Sequence, residues 1–109
     1  MGSVTFPNPH EHIDRVGLAM DRAIAAKIRA DPSVIEVARR NLDRWRRQEG
    51  GQLSPPHEEW ERILRFLEPS ELADFISSET PKASRLRQSS PFPGVLTQEE
   101  CREILEQHA

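Results

Sequence analysis

The chain has 109 residues, 30% of them charged, with a formal net charge of −3 and a single cysteine. That length is one ordinary domain and excludes an enzyme with a separate substrate lobe. Val, Ile, Leu and Phe make up 25 of the 109 residues, about 23%, just above the ~20% below which highly charged chains stay unfolded, so a thin core is expected.

Residues 1–9, with Gly2, Pro7 and Pro9, read as a flexible lead. From His12 to Ala30 the residues Ile13, Val16, Met20, Ile24 and Ile28 recur every three or four positions beside an alanine stripe, the pattern of a long amphipathic helix. Asp31-Pro32 pairs a cap acceptor with a residue whose missing N–H costs nothing in a first turn, and Ser33 with Glu36 offers a competing capping box. A second helix therefore starts here. It buries Val34, Ala38, Leu42 and Trp45 and ends at Gly50-Gly51, where glycine allows the left-handed exit.

Ser54-Pro55-Pro56 suits the cap and first turn of a third helix, with Trp60, Ile63, Leu64 and Leu67 inward; Pro69 then forces a bend before a fourth with Leu72, Phe75 and Ile76 inward. Thr80-Pro81 opens a short helix to Gln88 that holds only one large apolar residue, Leu86. Pro91, Pro93 and Gly94 make residues 89–96 an extended segment, and Thr97 with Glu100 boxes the start of a last helix to Gln107. No strand-like alternation interrupts these elements. The expected fold is an all-α bundle of four to five helices, divided into the lead, a helical domain over residues 10–79, and a C-terminal piece over residues 80–109.

Chemistry is sparse. His10-Glu11-His12 lacks the one-turn spacing that lets two histidines share a metal; with His57 it could in principle gather one, but the pair lies in the mobile lead, so no metal or cofactor is expected. Cys101 lies among Glu99, Glu100 and Glu103, whose charges oppose the helix dipole's effect on a thiol; an idle thiol is expected. With no Gly-rich phosphate loop and no nucleophile motif, the chain is not expected to be an enzyme. No signal peptide or run of ~20 apolar residues is present, and a lone cysteine suits a reducing compartment, so the expectation is cytoplasmic with no membrane partner. Residues 60–76 have the outline of a helix-turn-helix, but its second helix carries Glu71, Asp74 and Glu79 and no base, which a phosphate-lined groove would repel; two packed core helices are expected instead.

Charge is segregated along the chain: +3 over residues 29–47, −6 over 48–79, +3 over 80–96 and −3 over 97–109. Arg40, Arg44 and Arg47 fall opposite the apolar side of the second helix, with Arg39 and Arg46 at its flank. A solvated helix face explains such a row, and so does contact with phosphate or with an acidic protein. Residues 85–96 mix basic and apolar side chains outside any helical period on a proline-stiffened backbone, which lowers the entropy cost of docking. Arg85, Leu86, Arg87, Ser90, Phe92, Val95 and Leu96 are the expected partner-binding residues; the alternative is that the segment folds back onto the core.

The run Arg85-Leu86-Arg87-Gln88-Ser89-Ser90-Pro91-Phe92, followed by Gly94-Val95-Leu96 and a capped acidic helix, resembles the C-terminal region of small bacterial antitoxins from toxin–antitoxin pairs. The alanine-rich first helix, the Asp-Pro boundary and the arginine-rich helix ending in Trp45 are similar in outline. The resemblance implies a chain that binds a toxin enzyme encoded beside it and covers its active site or substrate groove; no catalytic residue is carried over. The chain departs from many antitoxins in having no recognisable DNA-binding unit. Two rivals remain: a nucleic-acid-binding regulator using Arg39, Arg40, Arg44, Arg46 and Arg47, and a small regulatory adaptor unrelated to toxins.

Overall fold

A computed structural model describes the backbone from Pro9 to Ala109 and the side chains from Glu11; the expected lead lies mostly outside the described residues. Six α-helices and one 3-10 turn are present, and no strand occurs among the described residues. The helices are α1 (Pro9–Ala30), α2 (Ile35–Gln48), α3 (Pro55–Phe66), α4 (Pro69–Ile76), α5 (Pro81–Arg87) and α6 (Gln98–Gln107), with the 3-10 turn at Pro32–Val34. The all-α expectation holds, with six helices rather than four to five, because the short α5 forms.

Boundaries follow side-chain chemistry. Asp31 is the cap that wins: its carboxylate accepts from Ser33 N at 3.1 Å and Ser33 Oγ at 2.7 Å, so the competing Ser33 box does not form. Thr80 accepts from Ala83 N at 3.2 Å, and Thr97 and Glu100 exchange both bonds of a capping box, at 3.1 and 2.8 Å. Ser54 holds the cap position of α3 without a side-chain cap bond. Gly50 and Gly51 take φ of 77° and 98°, the left-handed exit that α2 requires.

The first helix is the spine. It packs most extensively along α4 and also meets α5 and α6, while α2 lies on α3. Ile24, Ile28, Leu42, Trp60, Leu72, Ile76, Leu86 and Phe92 belong to one buried cluster. α3 and α4 thus meet the core as two packed helices, with Trp60 and Leu64 from the first and Leu72 and Ile76 from the second inward. Ile13, expected inward, is 64% exposed; every side chain from Glu11 to Ala19 is exposed or half-buried. No helix among the described residues is long and apolar enough to cross a membrane.

Candidate partner-binding surface

The stretch after α5 is built inward. Leu86 is fully buried and its carbonyl accepts from Trp60 Nε1 at 3.0 Å. Phe92, 1% exposed, sets its ring edge-on to Trp60 with centroids 5.6 Å apart. Asn41 Nδ2 donates to the carbonyls of Pro91 and Pro93, both at 2.9 Å, and Lys27 Nζ donates to the Val95 carbonyl at 3.3 Å. Two proline residues leave this backbone with carbonyls that no helix satisfies, and a buried amide and a lysine supply the missing donors. Val95 and Leu96 complete the cluster at 7% and 8% exposure.

Arg87 is a strut. Its Nε donates to Asp21 Oδ2 at 3.0 Å, and its Nη2 donates to the carbonyls of Ile76 and Ser78, at 3.1 and 2.9 Å, closing the end of α4. Gly17 leaves room for the stem: a Cβ there would lie 3.1 Å from Arg87 Cδ. Burial pushes the Asp21 carboxyl up to about 6, against the opposing pull of Arg87. Arg85 alone of the expected arginines in this segment faces solvent, forked onto Glu59 at 2.9 and 3.1 Å; the pair holds the Glu59 carboxyl below its usual range. Ser90 is half-buried and its hydroxyl accepts from Phe92 N at 3.3 Å.

In the folded monomer, then, Leu86, Phe92, Val95 and Leu96 are core and Arg87 is committed to the interior, so the fold-back alternative describes their placement. The deciding signals lay elsewhere in the sequence. Asn41 and Asp21 are polar residues on the buried faces of α2 and α1, 5% and 4% exposed, and each is there to bind this segment.

The arginines of α2 divide into two groups. Arg39 pairs with Glu36 and donates to the Leu64 carbonyl, and Arg46 pairs with Glu61 of α3. Arg40, Arg44 and Arg47 form no ion pair among the described residues. At spacings of four and three they share one face about 10 Å long, and with Asp43 and Gln48 they border one shallow depression. Arg44 Nη2 donates to Asn41 Oδ1 at 2.9 Å. One buried amide therefore joins the proline segment to the exposed row.

No group of three or more metal-ligating side chains converges among the described residues. His57 stacks on Trp45 with centroids 4.6 Å apart, and its Nδ1 is buried without a partner. His10 lies outside the described side chains. Cys101 is half-buried and free. Glu100 accepts from Lys27 Nζ at 2.6 Å and from Thr97 N, and its carboxyl is pulled down to about 2. Compared with protein-family models, curated proteins and solved structures, the chain matches none.

Proposed function

We propose that the chain is a non-catalytic binding protein, antitoxin-like in mode, that neutralises the product of an adjacent gene by docking on an acidic surface of it through Arg40, Arg44 and Arg47. The observation that supports this reading is the division among the α2 arginines: two are latched to carboxylates, and three, without an ion pair among the described residues, stand exposed on a helix whose other face is locked into the core. A row fixed on a packed helix loses little backbone freedom on binding, and arginine's forked donors suit carboxylates. In this reading residues 85–96 act indirectly, building the platform on which the row stands.

Nucleic acid is the second reading, favoured by the same unpaired row. Asp43 sits inside that row and the whole chain is net negative, at −3; both weigh against any anionic surface, and most against one as densely charged as nucleic acid, with a charge about every 1.7 Å. Three phosphate contacts would give a slope of about −2.7 in log K against log salt, so retardation assays at two salt concentrations separate the readings. The decisive experiment is co-expression with each adjacent gene product, followed by titration of the purified pair with Arg40→Ala/Arg47→Ala, which spares the Arg44–Asn41 bond. Loss of binding with unchanged thermal stability supports the proposal, and undiminished binding overturns it. Rescue of growth by co-expression separates a toxin partner from the client of a general adaptor.

A further inference from the structure

Two exposed helix faces carry one charge pattern with every sign reversed. On α2, Arg40, Asp43, Arg44 and Arg47 follow one another at spacings of three, one and three residues, all exposed. On α6, Glu99, Arg102, Glu103 and Glu106 repeat those spacings with the opposite charges, also exposed. At about 100° per residue each set spans an arc of about 100° on the outer side of its helix. The inner sides are committed to the core: Ala38 and Leu42 of α2 are buried, and Cys101 and Ile104 of α6 pack against the buried cluster.

Neither face is satisfied within the chain. No ion pair joins α2 to α6 among the described residues, and Glu103, like Arg40, Asp43, Arg44 and Arg47, forms none. Arg102 reaches Glu99 and Glu106 only at 3.8 and 3.9 Å, and the three side chains are 67%, 72% and 70% exposed.

Helix geometry selects the orientation in which such faces meet. Side chains displaced to the same angular side of two facing helices meet when the helices run antiparallel, and those on opposite sides meet when they run parallel. Asp43 and Arg102 lie about 60° to one side of the first residue of each set, and Arg44 and Glu103 about 40° to the other. Parallel docking would set Asp43 on Glu103 and Arg44 on Arg102, like against like. Antiparallel docking opposes no like charges, and flank charges of this kind fix the orientation of paired helices.

We propose that α6 of one copy of this chain docks antiparallel on α2 of a second, pairing Arg40 with Glu106, Asp43 with Arg102, Arg44 with Glu103 and Arg47 with Glu99. Asp43, out of place in a row of arginines, thereby gains a cation of its own. Exposed pairs are individually weak and screened by salt, so the assembly is reversible and forms at high chain concentration and low ionic strength. A copy seated on the row has to leave before another protein docks there. That competition rests on the function proposed above; the self-association does not, and it is measured on the pure chain.

The test is sedimentation equilibrium of the full chain at about 50 and 500 mM salt. At low salt the average mass should rise above that of one chain as the concentration approaches about 1 mM, and the association constant should fall at least tenfold at high salt. Arg40→Glu/Arg47→Glu and Glu99→Arg/Glu106→Arg alter exposed positions only and leave the Arg44–Asn41 bond in place. Each variant alone is expected to stay monomeric, because acid then faces acid or base faces base, while an equimolar mixture should associate at least as strongly as the wild type. If a reversed variant fails to fold, NMR dilution of the wild type decides: its amide shifts should centre on residues 40–48 and 99–107. A wild type that is monomeric throughout, an association that salt leaves unchanged, reversed variants that associate like the wild type, a mixture of folded variants no stronger than its components, or dilution shifts centred away from both helices would overturn the proposal.

Discussion

Asp21 and Arg87 form the ion pair most withdrawn from solvent, with side chains 6% and 10% exposed. Removing one member of a buried pair leaves the other charge uncompensated, and Arg87→Ala also uncovers the carbonyls of Ile76 and Ser78. It should cost about 3–5 kcal/mol of stability, measured by urea unfolding. The Asp21 carboxyl, raised by burial, should titrate by NMR with a midpoint of about 6, and higher in a folded Arg87→Met variant because the arginine is what holds it down. A folded-state value above the unfolded one means that the contribution of Asp21 to stability is full below about pH 4 and declines as the pH rises through about 6. Asp21 and Asn41 were legible only as breaks in apolar stripes. Their partners lie 66 and 50 residues away along the chain, and sequence periodicity carries no information at that range.

Elements were the most legible level, because proline, glycine and short polar side chains act locally. Asp31, Thr80 and Thr97 each cap the helix or turn that their position in the sequence announces. Thr97→Ala removes the acceptor for Glu100 N and should destabilise by about 1 kcal/mol, seen as lowered helicity at moderate denaturant. Residues 89–96 were read correctly as non-helical, but their destination was not legible. A proline-rich run with Phe92, Val95 and Leu96 has the same composition whether it covers its own core or another protein's. What decides between these is Trp60, whose indole binds Leu86 and whose face receives Phe92, and no local pattern couples those positions.

For the molecule as a whole, residues 80–109 contribute Leu86, Phe92, Val95 and Leu96 to the same buried cluster as Ile28, Trp60 and Ile76. A chain truncated after Glu79 should therefore lose cooperative unfolding and shift its tryptophan emission to the red, as water reaches Trp60, which is 1% exposed in the intact chain. The charge blocks read from the sequence become cross-links between elements: Arg29 to Asp74, Arg46 to Glu61, Arg85 to Glu59 and Lys27 to Glu100. What those cross-links leave uncompensated on α2 is the row at Arg40, Arg44 and Arg47, and the account of function stands on it.

The most direct test compares two variants by calorimetric titration against the purified product of the adjacent gene, each with its own melting curve. Arg40→Ala/Arg47→Ala, which keeps the bond from Arg44 to buried Asn41, is predicted to melt like the wild type and to bind at least tenfold more weakly. Phe92→Leu is predicted to melt lower and, while folded, to bind like the wild type. Wild-type affinity in the double variant, or a loss of affinity in folded Phe92→Leu, would contradict the assignment of contact to α2 and of support to the proline segment.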